Sequence, residues 1–442
     1  MLADVLRARP AGFDEVLALV DGLDDALVHG LARLDDDRAA ALEAVAAAFD
    51  GSPPAGRVGD AIGKIVAGTV TDEHLAALAG ARVALLGAAH DALVAGFDAA
   101  AGRTREPRPA PGGTAEPTHL TAGSRSWLRE LAIAGWRGVD HELAAGGAQT
   151  VQALLTEPAR RRLAVLLDGF SAELRAAAPV ATLPRVPVRR WADLWSRALV
   201  LSQDGLPAEP SAPADGRLLI LGADLHEHPT VFRCQVHALL ETGDGVRLVR
   251  TSVAAAKVDT ISGPSAWRLL GAFPVLRAAL AEHRSVEVAG MTLTAGGDLI
   301  WEEERATAGE PADPFTTARV RLAGAVASST APLDRHPAAI AEPVLLEEGG
   351  FEVDTARLPA AGPLTPELVA SAGACLGLLR FDGDRWVVQP LAVRASVRKK
   401  EVAVHTGDWA LGPTDAKAAK AEAAAGGAVE ILQERAGRLL RR

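Results

Sequence analysis

The sequence predicts an α+β multidomain protein. It has an N-terminal all-α bundle, a central helical region, and a C-terminal mixed β-rich domain closed by a terminal helix. Three observations predict this. Residues 1–102 carry 16 Asp and Glu against 7 Lys and Arg, close to the whole chain's net charge of −10. Two proline-rich stretches, 103–118 and 203–216, interrupt the apolar pattern, as interdomain tethers do. From residue 217 the apolar spacing shifts from the helical three-to-four to the alternation of strands. The 442 residues therefore divide into an acidic helical bundle (1–102), a linker (103–118), a central helical region (119–202), a spacer (203–216), a β-rich domain with an inserted helix (217–412) and a C-terminal helix (413–442).

In the bundle, the clearest helix is TDEHLAALAGARVALLGAAHDALVAGFDAA. Thr71 or Asp72 caps it, because a side-chain oxygen there satisfies the first free backbone amides. Leu75, Leu78, Leu85, Leu86, Leu93 and Phe97 make an apolar stripe interrupted only by Arg82. FDEVLALVDGLDDALVHGLARL and DDDRAAALEAVAAAF make two more helices, with Asp35, Asp36 and Asp37 suited to a positive helix start. SPPAG breaks the chain before a fourth, RVGDAIGKIVAG, and four short helices with brief loops fit an antiparallel bundle. The central region reads as three further helices, and Trp127, Trp136, Trp191 and Trp195 fall at core positions of the first and third. RLLILGADL, TVFRCQVHALLE and GVRLVRTSVAAAKV read as strands, the last two joined at Gly243-Asp244-Gly245. A helix broken near Pro274 comes next, then strands at SVEVAGMTLTA and DLIWEEE. Residues 306–370 read as irregular, with a strand at 343–347. CLGLLRF, Asp382-Gly383 and RWVVQPLAVRAS form the strongest hairpin signal. A helix is expected over roughly 414–441.

Composition narrows the function classes. An apolar fraction of 49% supplies cores and excludes a disordered chain. A charge of −10 argues against a dedicated nucleic-acid binder working through its overall field. The N-terminus lacks the uninterrupted apolar core of a secretory signal. No stretch of about 18 uncharged apolar residues predicts a membrane span, so a cytoplasmic protein is expected. Cys234 and Cys375, in that setting, read as free buried thiols.

The densest set of ligand-type side chains is DLHEHPTVFRCQVH. His226, His228, Cys234 and His237 are candidate zinc or iron ligands, since two His at alternate positions of a strand share a face. HEH is not the helical H-E-x-x-H arrangement, and Pro229 places part of the segment at a turn. The alternative is a polar strand end beside a buried cysteine. Glu302, Glu303 and Glu304 read as a solvated strand end. There is no G-x-x-x-x-G-K-[ST] phosphate loop and no G-x-S-x-G elbow. Residues 385–442 hold 11 Lys and Arg against 6 Asp and Glu. Arg394, Arg398, Lys399, Lys400, Arg435, Arg438, Arg441 and Arg442 are the candidate interaction residues there. They suit phosphate, an acidic protein face, or the acidic bundle of the same chain.

The stretch RVGDAIGKIVAGTVTDEHLAALAGARVALLGAAHDALVAGF (57–97) resembles uncharacterised actinobacterial proteins that accompany operons encoding a MoxR-type AAA+ ATPase, a von Willebrand A protein and a SWIM zinc-finger protein. The stretch covers about a tenth of the chain and holds no catalytic motif, so no functional residue carries over. The resemblance implies an accessory component, with the ATPase or the von Willebrand A protein as partner. Modules and tethers without a catalytic fingerprint give the leading expectation: a non-enzymatic adaptor acting through protein–protein interaction, without a cofactor. The alternatives are a metal-dependent hydrolase using the His226/His228 cluster, and phosphate or nucleic-acid binding through the basic C-terminal region.

Overall fold

The computed structural model describes residues 2–110, 112–114, 119–347, 351–397, 400–414 and 416–425, together with 429, 431, 434 and 435. Helices α1 (Leu2–Leu6), α2 (Phe13–His29), α3 (Asp36–Ala48), α4 (Ala55–Val66) and α5 (Asp72–Ala101) come first. Strand β1 (Gly112–Thr114) precedes α6 (Ala122–Ala134), α7 (His141–Ala145), α8 (Ala148–Leu155), α9 (Arg161–Ala177) and α10 (Val188–Leu201). The β-rich part comprises β2 (Pro207–Ala208), β3 (Ser211–Glu227), β4 (Val231–Thr242), β5 (Gly245–Ala256), α11 (Pro274–Glu282), β6 (Arg284–Thr294), β7 (Ala306–Pro311) and α12 (Pro314–Arg321). It continues with β8 (Glu342–Leu346), β9 (Glu352–Val353), α13 (Pro366–Ala370), β10 (Ala372–Asp382), β11 (Arg385–Val397), β12 (Lys400–His405) and α14 (Ala416–Ala425). The α+β order expected from the sequence is the order observed.

Helix α5 is the spine of the helical body. The Thr71 hydroxyl accepts from the His74 amide and caps it, and its 30 residues span about 45 Å. The expected stripe is buried, Arg82 included. Among the described helices, α5 alone has the length and hydropathy of a membrane span, yet most of that stretch is buried within the molecule. A helix apolar on all sides and enclosed by partners is a core helix.

The helices of 1–102 and of 119–202 share one hydrophobic core, in contrast to the separate bundle read from the composition. Leu23, Leu27, Leu75 and Leu78 pack in the same cluster as Trp136, Trp191 and Trp195. Two backbones meet where the Leu31 amide donates to the Ala132 carbonyl at 2.8 Å. A Cβ on Gly135 would lie 2.3 Å from the Gly30 nitrogen, so the contact requires glycine there. The reason for the difference is area: the alanine-rich helices of 1–102 have too few large side chains to close a core alone.

The linker's first half is likewise no free tether. Glu106 and Ala327 are joined by the Glu106 amide and the Ala327 carbonyl at 2.9 Å, and the Ala327 amide donates to Thr104 at the same distance. Arg105 reaches Asp98 at 2.7 Å and Glu342 at 2.9 Å, and Arg103 reaches Glu342 at 3.0 Å. Residues 111 and 115–118 of the expected linker lie outside the described residues. The spacer at 203–216 is largely strand, with β3 pairing β6 from Ser211 onward.

Two five-stranded sheets stack face to face. The first runs β5-β4-β3-β6-β7, antiparallel throughout. The second runs β12-β11-β10-β8, with β9 added in parallel beside β11. The β4–β5 and β10–β11 hairpins fall where the Gly243-Asp244-Gly245 and Asp382-Gly383 turns place them. The sheets touch at Gly222, where a Cβ would lie 2.7 Å from Leu391 Cβ. Outside the first sheet pack α11 and Trp267. Outside the second pack α1, α13 and the end of α5, through Leu6, Val369 and Phe97.

Two expectations are corrected. DLIWEEE is not a strand: Glu303 accepts from Trp301 Nε1 at 2.8 Å and from the Val275 amide at 2.6 Å. It thereby caps the start of α11, a role that needs a turn rather than an extended chain. Residues 306–370 are less irregular than expected, since they contain β7, α12, β8, β9 and α13. Pro274 does break the inserted helix, separating a 3₁₀ turn at Gly263–Leu270 from α11. Of the expected C-terminal helix, 416–425 is observed as helix; residues 426–428 and most later ones lie outside the described residues.

Candidate functional site

The face of the first sheet that meets the second carries two of the candidate ligands, His226 and His237. Side chains alternate along a strand, so on β4 Cys234 and Val236 point to the helix-covered side while His237 and Leu239 point to the second sheet. On β3 the register shifts between Ile220 and Gly222. A bulge inserts one residue and re-aims the side chains beyond it. Leu219 and Leu221 face the second sheet, but beyond the bulge it is Ala223 and Leu225 that face the helices. Asp224 and His226 are thereby turned toward the second sheet.

Asp224 is buried there and accepts three hydrogen bonds: from Arg380 Nη2 at 2.7 Å, Gln389 Nε2 at 2.7 Å, and His226 Nε2 at 3.0 Å. Burial opposes its charge. The contacts with His226, Arg380 and Gln389 outweigh burial and hold the carboxyl well below the usual carboxylate range. Such a group is a permanent anion, too acidic to serve as a base near neutrality. Arg380 lies on β10 and Gln389 on β11, so the cluster bolts the two sheets together. His226 is half exposed above it, at 51%, an imidazole whose orientation a carboxylate fixes.

The remaining ligand candidates do not converge with His226. His228 is exposed in the turn to β4, where its amide donates to the Val231 carbonyl at 2.9 Å. Cys234 lies on the opposite face of the sheet in the apolar core, and burial pushes its thiol far up. His237 is buried on the Asp224 face. Burial lowers its pKa to about 3, which keeps the ring neutral, and Nε2 has no hydrogen-bond partner. It forms part of the wall of a cavity of about 70 Å³, with Arg105, Arg250, Ser328 and Glu342. Among the described residues no group of three or more His, Cys, Asp or Glu is placed to hold a metal ion. Glu227, in the middle of HEH, accepts from the Ala361 amide at 2.7 Å and the Gly263 amide at 3.1 Å, tying two loops to the sheet. Cys375 is also buried, its thiol pushed up to about 12, and both cysteines are free.

Of the basic candidates, Arg394 lies over the Phe315 ring, 4.6 Å from its centroid, with Asp313 at 3.9 Å and Glu401 at 3.8 Å. Its carboxylate neighbours belong to the β-rich part, not to the acidic helices. Lys400 and Arg435 are exposed. Arg398, Lys399, Arg438, Arg441 and Arg442 lie outside the described residues. The acidic side is open to solvent: Asp36, Asp37, Glu43, Asp50 and Asp60 are all exposed on or beside α3 and α4.

Sequence reasoning missed a buried ion cluster in the helical body. Arg82 donates to Asp24 through Nε at 2.6 Å and Nη2 at 3.0 Å, to Asp193 at 2.6 Å and to Ser196 at 3.2 Å. Burial opposes its charge, but the two carboxylates outweigh it and raise its pKa above the ordinary value. The signal was the lone arginine in an apolar stripe; its partners, on α2 and α10, carried none. No family model, curated protein or solved structure matches the chain.

Proposed function

We propose that this chain is a non-enzymatic adaptor that binds protein partners, with a basic partner surface docking on the acidic helices. One observation carries the reading: the unequal use of charge. The titratable groups of the sheet interface are occupied with holding the sheets together, as Asp224 is, or are buried and neutral, as His237 is. The carboxylates of α3 and α4 are exposed, with Arg38, Arg57 and Lys64 as the cations of that stretch. Exposed charge of one sign speeds encounter with the opposite sign and loses that effect as salt rises. The expected partner is a AAA+ ATPase or a von Willebrand A protein, and the expected setting is the cytoplasm.

A second reading, a metal-dependent hydrolase, is favoured by the Asp224–His226 contact, which is how an outer carboxylate orients a metal-binding imidazole. Zinc or iron would then be its cofactor. One experiment separates the two. The chain is mixed with a MoxR-type ATPase or a von Willebrand A protein from the same genome, and association rates are measured at low and high ionic strength. The purified chain is assayed for zinc and iron in parallel. The adaptor reading expects a complex whose association slows with salt and with Asp36→Lys, Asp37→Lys and Glu43→Lys together. Stoichiometric metal, lost in His226→Ala with His228→Ala, and no complex with either partner would replace it by the hydrolase.

A further inference from the structure

At the far end of the first sheet, two histidines from distant parts of the chain meet ring against ring, tilted by 47°. His283 follows the last residue of α11 in the left-handed conformation, φ 52°, the sole non-glycine residue with positive φ among those described. Such a backbone is uncommon outside glycine and needs the surroundings to hold it. His405 ends β12. The ring centroids are 4.2 Å apart. His405 is buried, and its Nδ1 has no hydrogen-bond partner. Beyond it, residues 406–412 form a turn strapped across the sheet and α11. Thr406 Oγ1 donates to the Ala223 carbonyl, the Ala410 carbonyl accepts from Arg277 Nε at 2.8 Å, and Ala410 is buried in the core beneath α11. Helix α14 follows, tied to the molecule by Arg268 Nε and Glu422 at 2.9 Å.

We propose that the His283–His405 pair is an acid-sensitive latch that fastens the 406–412 strap, and releases it when His405 takes a proton. The groups facing the pair are few. From the strap comes Asp408, whose Oδ1 lies 3.2 Å from His283 Nε2 and whose Oδ2 accepts from the His405 amide at 2.9 Å. From the start of α12 comes Asp313, and from β11 comes Arg394. Phe315, ring to ring with His405 at 5.7 Å, closes the remaining side. A proton on His405 meets burial, the neighbouring His283 and Arg394, opposed by Asp408 and Asp313. These influences bring the His405 pKa down to about 4. The ring therefore takes its proton readily only once the strap has lifted into water, where a histidine titrates near its ordinary 6.5.

One proton bound on opening raises the open population about tenfold for each pH unit between roughly 6.5 and 4. The test is hydrogen exchange of the full chain, resolved by peptide and corrected for intrinsic rates, across that pH range. Protection over 400–412 is expected to lie below that of the β10–β11 hairpin, which reports global unfolding, and to fall about tenfold per unit. In His405→Phe, which keeps an aromatic ring and cannot protonate, and in His405→Gln, the local fall is expected to vanish. Protection indifferent to pH, an equal fall in the variants, or exchange of 400–412 at the hairpin's own global rate would each overturn the latch. Titration of the labelled His405 ring by NMR in the unmodified chain serves if the variants do not fold. A pKa well below 6.5 there, with loss of strap protection on the acid side, supports the proposal, and an ordinary pKa defeats it.

Discussion

Arg82 shows how much one side chain settles. Its guanidinium is enclosed, at 1% exposure, and joins α5 to Asp24 on α2 and Asp193 on α10. Arg82→Met keeps the length and removes the charge, leaving Asp24 buried against Arg189 alone. Stripping one partner from a buried pair costs about 3–5 kcal/mol, so the midpoint of urea unfolding should fall accordingly. Arg82→Met combined with Asp24→Leu should recover much of the loss, because well-packed apolar replacements of buried pairs are often neutral. A double variant no better than the single one would mean that Asp193 or Ser196 carries the cluster. The sequence flagged Arg82 as an interruption of an apolar stripe. It gave no sign of the partners, which lie 58 and 111 positions away.

Elements with strong periodicity and clear caps were legible; elements defined by their neighbours were not. Helix α5 begins where its cap predicts, and Thr71→Ala should cost about 1 kcal/mol, read as a lower melting temperature with unchanged helical content. The two hairpins followed from local turn chemistry. DLIWEEE failed because its apolar run has the composition of a strand, while Trp301 and Glu303 are held by the start of α11. The metal candidates are dispersed for a similar reason. Spacing put His226, Cys234 and His237 near one another in sequence, but the bulge before Gly222 and strand alternation place Cys234 on the other face. A one-residue irregularity reverses every side chain beyond it, and nothing local announces it. The shared helical core leads to a prediction about fragments. Residues 1–202 should melt cooperatively by circular dichroism, whereas 1–102 alone should show weaker helicity and no sharp transition. Equal melts for the two would mean that α6 and α10 add nothing to the bundle.

The whole molecule should be acid-labile from mildly acidic pH downward. Burial lowers the pKa of His90, lowers His237 to about 3 and lowers His405 to about 4. Above about 6.5 these rings are neutral in both folded and unfolded chains and do not affect stability. Below it, the unfolded chain binds protons that the folded one refuses. Each ring then removes about 1.4 kcal/mol per pH unit until its folded pKa is reached. Asp224 acts in the same direction lower down: its stabilisation is present above the ordinary carboxylate pKa of about 4 and fades below that. Urea midpoints should therefore drop between pH 6.5 and 4, and His237→Phe should flatten part of the slope. A constant midpoint over that interval would refute the neutral-histidine account. By itself the sequence determined the order of helices and strands, the acidic front, the buried tryptophans and the turns, because each rests on the periodicity or chemistry of neighbouring residues. Only the tertiary structure decided that two apparent modules share one core, that a proline-rich linker starts as a strap, and that Asp224 faces Arg380. Those outcomes depend on close contacts between residues as far as 239 positions apart, and on a packing in which a buried charge must find its partner wherever the fold brings one.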